Sequence, residues 1–325
     1  MLGVVGRRRS PVWQPSEEQM SHWPSTSGNA INGVGEAAPR RPSPIYWHDP
    51  DSTPHGPLQR WFYQRSNNTG DPDVAAARAE RQRVIDTPLS ALAPIAEQRD
   101  DWSEDVKRVA REAGADDVGI TAMRAEYVFE GREVPAQRSM IVIAIAQDYE
   151  AMCTAPSSRA LVEVTRQYAN GTRVAKAVAS WLRERGHDAF PYGGPMAGSF
   201  ILIPAALAAG LGELGKHGSM IHPQFGSNFR LACVLTDVPL VADAPRPFGA
   251  DEFCASCRIC IEACPPAAIL EDKQLVRGEQ RWYVDFDKCL PFFNENLSCA
   301  LCLAVCPFSR PEVGSNLVAK LAKRR

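Results

Sequence analysis

The sequence predicts an α/β sandwich that gives way, toward its carboxyl end, to loops and short helices organised around cysteine. Three observations carry that expectation. Short apolar β-branched runs alternate with amphipathic stretches from Asp101 to Thr236, the pattern of helices packed on buried strands. Eight of the ten cysteines of the 325-residue chain fall between Cys254 and Cys306. Nine of its 26 prolines fall in the first 60 residues, which sets that stretch apart from the rest.

Taken in order, residues 1–100 read as a proline-rich tail or arm. Up to about Thr53 it is rich in Ser, Gly and Asn as well as Pro, too polar to offset the entropy of ordering. It nevertheless holds Trp13, Trp23, Tyr46 and Trp47, with Trp61, Phe62 and Tyr63 just beyond, so an arm packed along the body or along a partner subunit is expected. Arg7, Arg8 and Arg9 suggest a twin-arginine export signal, but the apolar segment that should follow is missing, and a solvated basic patch is the simpler reading.

Residues 101–245 read as the α/β domain. A helix is expected from near Ser103 through VKRVAREA, ended by Gly114 in the left-handed conformation. Val118 to Ile120 and Met140 to Ala146 are expected strands. One or two amphipathic helices are expected between Ser158 and Arg185, closed by Gly186, with another from Pro204 to Ala209. Phe229 to Thr236 reads as a further strand. Phe200 to Gly212 is nearly apolar but too short to cross a bilayer, so no membrane span is expected. The net charge of −2 gives no reason to expect nucleic acid or an anionic lipid surface as a partner.

Residues 246–311 read as a ferredoxin-like module, followed by a basic C-terminal tail at 312–325. CASCRICIEACP places Cys254, Cys257, Cys260 and Cys264 before Pro265; CALCLAVCP places Cys299, Cys302 and Cys306 before Pro307; Cys289 lies upstream in DKCLPFF. Thiolates spaced by two, two and three residues let a tight loop offer three sulfurs to one [4Fe–4S] cube while the fourth points to a neighbouring cube. The expected sets are therefore Cys254, Cys257, Cys260 and Cys306 for one cluster, and Cys264, Cys289, Cys299 and Cys302 for the other. Structural zinc commonly takes its four ligands as two separated CxxC pairs, a spacing unlike this unbroken run, and a disulfide framework belongs to short secreted domains. Cys153 and Cys233, outside the motif, are expected to be small buried apolar residues.

Two further segments carry a resemblance to a known family. GLGELGKHGSMIHPQFGSNFRLACVLTDVPL, Gly210 to Leu240, and RWYVDFDKCLPFFNENLSCALCLAVCPF, taken with the first cysteine run, resemble the corrinoid-dependent iron–sulfur reductases, which comprise the reductive dehalogenases and the epoxyqueuosine reductases. The resemblance covers roughly residues 101 to 311. It implies a nitroreductase-like α/β domain holding cobalamin base-off, with no side chain ligating cobalt from below, fed by two [4Fe–4S] clusters. It also implies a small-molecule substrate and an external electron donor such as a ferredoxin, flavodoxin or reductase. The chain has no DxHxxG sequence, the motif that supplies a lower histidine ligand in other cobalamin proteins.

Residue by residue, Gly210, Gly212, Gly215 and Gly218 offer bare backbone that a bulky ligand can approach, and Lys216 and His217 are placed to meet a phosphate of its nucleotide loop. On spacing alone, a glycine-rich turn with a solvated Lys-His pair is the favoured reading, and the resemblance reverses it. RQYANG looks like the place where the family sets a tyrosine beside the cofactor, which makes Tyr168 the candidate proton donor and Arg230 the cation that eases its ionisation. A tyrosine at that helical spacing also suits a core position.

Between the branches, YGGPMAGSF has Met196 where epoxyqueuosine reductases carry the aspartate of a DSAP-type sequence. Their C-terminal helical repeats have no counterpart in the short stretch after Pro307. The expectation is therefore a cytoplasmic, reductive-dehalogenase-like enzyme acting on a carbon–halogen or other carbon–heteroatom bond. A two-cluster electron carrier, or a corrinoid-free subunit whose arm embraces a neighbouring chain, are the competing readings. The flexible Gly193 to Ser199 stretch argues against a tightly shaped halide pocket.

Overall fold

Alternation along the strands decides which layers cover the sheet. A computed structural model describes residues 12–95, 97–194 and 199–323; the Arg7 to Arg9 patch and Met196 lie outside the described residues. In chain order the strands are β1 (Asp117–Ala122), β2 (Ser139–Ala146), β3 (Ala189–Tyr192), the short pair β4 (Glu213–Leu214) and β5 (Met220–Ile221), β6 (Phe229–Thr236), and the hairpin of β7 (Gln274–Val276) and β8 (Glu279–Arg281). The main sheet runs β1-β2-β6-β3 and every pairing is antiparallel, with Val142 opposite Cys233 at its centre. This antiparallel order makes the mixed α/β fold an α+β arrangement rather than a parallel crossover one.

Both faces of β2 are apolar because both are covered. Ile141, Ile143 and Ile145 point to one layer, where Trp102, Val106 and Val109 of the helix Ser103–Glu112 meet Val174, Val178 and Leu182 of the helix Ser158–Arg183. Met140, Val142 and Ala144 point to the other, against Leu202, Ala205 and Ala206 of the helix Leu202–Ala208. Each such aliphatic side chain, fully buried, contributes about 1.5–3 kcal/mol. The stretch from Ser158 is a single 26-residue helix rather than two. Gly171 lets it lie close on the sheet, where an added Cβ would stand 3.2 Å from that of Ala232. The strands expected at Val118, Met140 and Phe229 and the helix at Ser103 are all present. Strand β3 was not expected, because it contains Pro191; it sits at the sheet's edge, where a missing N–H is tolerated.

Of the expected tail at residues 1–100, the described residues 12–95 form a structured arm docked on its own chain. Pro57 opens the helix Gly56–Asn67, which buries Leu58, Trp61 and Phe62. Asp71 caps the helix Pro72–Asp86, accepting the Asp73 N–H at 2.9 Å, and Arg173 of the long helix pairs with its Glu80 at 3.0 Å. The first of these helices overrides the polar composition of the arm because Leu58, Trp61 and Phe62 are buried together, while the second buries only Val74 and Val84.

The C-terminal tail also differs from expectation. Residues Val313–Ala322 form a helix whose Leu317, Val318 and Leu321 pack near Ala250 and Phe308, so its basic residues mark only the outer face. Cys233 is buried, whereas Cys153 is exposed at the end of the one-turn helix Tyr149–Met152.

Candidate cofactor and active site

Two groups of four thiols are built by two one-turn helices that lie side by side. Cys257 ends the helix Ala250–Ser256, Cys260 rides on the turn Ile259–Glu262, and Cys264 follows it. In the second run, Cys289 rides on the helix Phe286–Glu295, Cys302 on the turn Leu301–Ala304, and Cys306 follows. The trailing cysteine of each run crosses to the other group. Cys254, Cys257, Cys260 and Cys306 surround one small cavity, while Cys264, Cys289, Cys299 and Cys302 line another of about 310 Å³.

Burial, then the neighbouring thiols, push the free Cys254 thiol up to about 12 and that of Cys260 to about 11. Burial pushes Cys289 to about 12 and raises Cys302 as well. Thiols this hard to ionise become thiolates when cationic iron replaces their protons. Among the described residues, no group of three or more His, Cys, Asp or Glu side chains converges on a single ion position. The thiols instead ring a space, as ligands to separate irons of one cube do.

Amides are turned toward the sulfurs. Leu297, Ser298, Cys299 and Ala300 all take left-handed backbone conformations, with φ of 50°, 73°, 42° and 73°. The N–H groups of Ala300 and Leu301 thereby reach the Cys299 sulfur. Four successive non-glycine residues in that region cost energy and mark a loop shaped for its site. On the first group, the Lys216 N–H reaches the sulfur of Cys254, and the N–H groups of Phe308 and Ser309 and the hydroxyl of Ser227 reach that of Cys306. His217 fixes Ser227 through a 2.9 Å bond from Nε2 and accepts the Ser219 N–H on Nδ1 at 3.2 Å; burial lowers its pKa to about 4, so the ring is neutral. Ser227 and Ser309 carried no sequence signal, since a lone serine has no motif.

The glycine block is closely packed by the chain's own atoms. Gly210 has φ of 73°, and a Cβ there would lie 2.5 Å from the Ala244 carbonyl; at Gly212 it would lie 2.2 Å from that of Ile221. At Gly215 it would strike the His217 ring, and at Gly218 the Val284 side chain. The chain's own atoms occupy the space next to these glycines, although Gly212 and Gly218 also line cavities. Lys216 and His217 are buried beside the first thiol group rather than placed in the cavity that holds Tyr168.

Tyr168 and Arg230 do come together. Both line a cavity of about 350 Å³ against the sheet, with the Arg230 guanidinium carbon 5.4 Å from the Tyr168 ring centroid. Arg230 Nη1 donates to the Phe229 carbonyl at 3.0 Å, while its buried Nε has no protein partner. The opposite wall comes from the arm, as Tyr46, Trp47 and His48; the sequence marked Tyr46 and Trp47 as arm aromatics but assigned none of the three to the site. Trp47 is held with φ of 63°, its N–H bonded to Gln59 Oε1 at 2.6 Å, and Tyr46 is tied to Asn294 at 2.7 Å. Ile201 is shared by this cavity, by the one at the second thiol group, and by a third of about 700 Å³ bordered by Arg40, Arg124, Arg246, Arg277 and Arg281. Ile201 is thus a wall common to the three cavities, which places the Tyr168 cavity next to the one at the second set of cysteines.

Comparison with known proteins fits this layout. A family model described as a 4Fe-4S dicluster domain matches residues 253–309. A tetrachloroethene reductive dehalogenase of Desulfitobacterium hafniense is 37% identical over 198 residues, covering 57% of this chain and 35% of that protein. One from Sulfurospirillum multivorans is 30% identical over 254 residues, covering 64% of this chain and 50% of that protein. Over the matched residues the chain is similar to the reductive dehalogenases. It spans roughly a third to a half of the length of these curated relatives. A solved reductive dehalogenase, reported with a mechanism for B12-dependent dehalogenation, shares the fold with a TM-score of 0.73 at 24% identity, over 91% of this chain and 45% of that one. Among the described residues, no helix is long and apolar enough to cross a membrane.

Proposed function

We propose that the chain is a corrinoid-dependent reductase of the reductive dehalogenase type, in which two [4Fe–4S] clusters, one on each group of four cysteines, deliver electrons to a cobalamin in the hollow beside Tyr168. The observation that carries this is that Ile201 borders the cavity at the second thiol group, the arginine-bordered cavity and the Tyr168 cavity, so that the three lie side by side. A two-cluster electron carrier has no need of such neighbouring cavities.

The residues present fit the cofactor. Five arginines, interspersed with Glu126, Glu213, Asp251 and Glu279, border the cavity of about 700 Å³, a polar lining suited to a phosphate and to the ring's amide arms. His217, which also borders the second thiol group, has both ring nitrogens engaged, by Ser227 and Ser219, and so would not serve as a metal ligand. Bound there, the corrinoid supplies the two-electron reducing chemistry at the carbon–halogen bond. The protein's own residues do the rest. Tyr46, Trp47 and Phe129 wall the substrate in and exclude water. Tyr168 gives its phenolic proton to the carbon that loses its halogen, and the Arg230 guanidinium, its Nε free, stabilises the phenolate left behind. A small apolar halocarbon such as a chloroethene, or a haloaromatic, suits this mostly aromatic and aliphatic cavity.

Halide release tests the proposal. Protein reconstituted anaerobically with iron, sulfide and cobalamin is given reduced viologen and tetrachloroethene or a bromophenol. Halide release that requires cobalamin is the expected result; equal activity with and without cobalamin contradicts it.

A further inference from the structure

Lys216 is the one lysine or arginine, among the described residues, that is buried, with 1% of its surface exposed. Its ammonium has a single hydrogen bond in the structure, to the Ala255 carbonyl at 3.2 Å, and lies 5.0 Å from the Trp282 ring centroid. No carboxylate among the described residues forms an ion pair with it; the nearby Asp251 instead pairs with Lys273 at 2.7 Å and accepts the Trp282 indole N–H at 2.6 Å. A buried ammonium without an opposite charge is strongly unfavourable, by several kcal/mol in proteins. What it borders is the cavity ringed by Cys254, Cys257, Cys260 and Cys306. Its own backbone N–H already points to the Cys254 sulfur.

We infer that Lys216 is the fixed counter-charge of the first iron–sulfur cluster and raises that cluster's reduction potential. The inference rests on the reading that these four thiolates hold a [4Fe–4S] cube. Such a cube with four thiolates is a net anion and gains one further negative charge on reduction, when one electron enters from the external donor. A cation locked beside it, buried from bulk solvent, stabilises the reduced form more than the oxidised one. Cation–π contact with Trp282 and the bond to Ala255 hold the ammonium in place but supply no full negative charge. Lys216 acts on the cluster without ligating it, so it is a positioning and tuning residue.

The test is anaerobic redox titration of the reconstituted full chain, followed by electron paramagnetic resonance, with dithionite as reductant. Lys216→Met keeps the length and removes the charge; Lys216→Arg keeps the charge. In the Met variant the reduction equilibrium of one cluster should fall about tenfold, equivalent to about 59 mV toward negative potential for one electron, with the other cluster unmoved. The Arg variant should stay near the parent. Unchanged potentials in the Met variant at full iron content overturn the inference while leaving the cluster assignment intact. Absence of any cluster signal in the parent protein instead defeats the cluster assignment itself. If the Met variant assembles no first cluster, the Arg variant decides: assembly at near-parental potential supports the counter-charge, and failure to assemble overturns it in favour of a packing role.

Discussion

Removing the Asn29 side chain should release the arm from the cluster module. Asn29 Oδ1 accepts the Tyr283 hydroxyl and the Phe286 N–H, both at 2.8 Å, and its Nδ2 donates to Asp285 Oδ1 at 2.8 Å. Two neutral bonds at about 1 kcal/mol each and one to a carboxylate at about 2 kcal/mol set an upper figure of about 4 kcal/mol. All three are only part-buried, so water recovers a share on release, and Asn29→Ala is expected to cost about 2 kcal/mol. That raises the undocked population roughly thirtyfold, at about 1.4 kcal/mol per tenfold. Limited proteolysis measures it, because cleavage within residues 12–55 follows the open population when opening and closing are fast. The expected result is cleavage of the arm about thirtyfold faster, with the fragment beyond residue 100 still resistant. Cleavage within a factor of two of the parent refutes the reasoning, because the contacts would then not hold the arm.

Other consequences follow from the same geometry. Tyr168→Phe should leave iron and cobalt content unchanged and lower turnover by a factor on the order of a hundred, measured as halide release; unaltered turnover removes Tyr168 from the proton path. Gly210→Ala places a methyl against the Ala244 carbonyl at a φ of 73° and should lower Tm by roughly 5 °C, read by circular dichroism. Burial holds the His48 and His55 imidazoles below their ordinary 6.5, so the docked arm binds fewer protons than the released one. Its docking is at full strength above about pH 6.5 and weakens as pH falls below that value, visible as faster proteolysis at pH 5 than at pH 7.5, and a His48→Gln, His55→Gln double variant should flatten that dependence.

What the residues disclosed, and what they hid, follows from physical range. The central strands announce themselves because both faces of Ile141 to Ile145 are buried, leaving an unbroken apolar run. The cysteine sets were legible because ligand spacing is local, two to three residues, and the crossing of Cys264 and Cys306 follows from it. Lys216 was read as facing a phosphate because its destination beside Cys254 depends on a contact 38 positions away in the chain, which no local pattern encodes. The arm was underestimated for the opposite reason. Asp71-Pro72 is a recognisable helix start, but composition averaged over 100 residues concealed it, together with the face formed by Leu58, Trp61 and Phe62. The wall of the Tyr168 cavity escaped notice because Tyr46, Trp47 and His48 acquire meaning only once the arm folds back across the sheet.

Metal analysis of the anaerobically reconstituted full chain tests the central claim most directly. After gel filtration to remove unbound cofactor, the account predicts about eight irons, two cubes of four, together with about one cobalt per chain. Eight irons retained without cobalt would contradict it, leaving a two-cluster electron carrier in place of a corrinoid reductase.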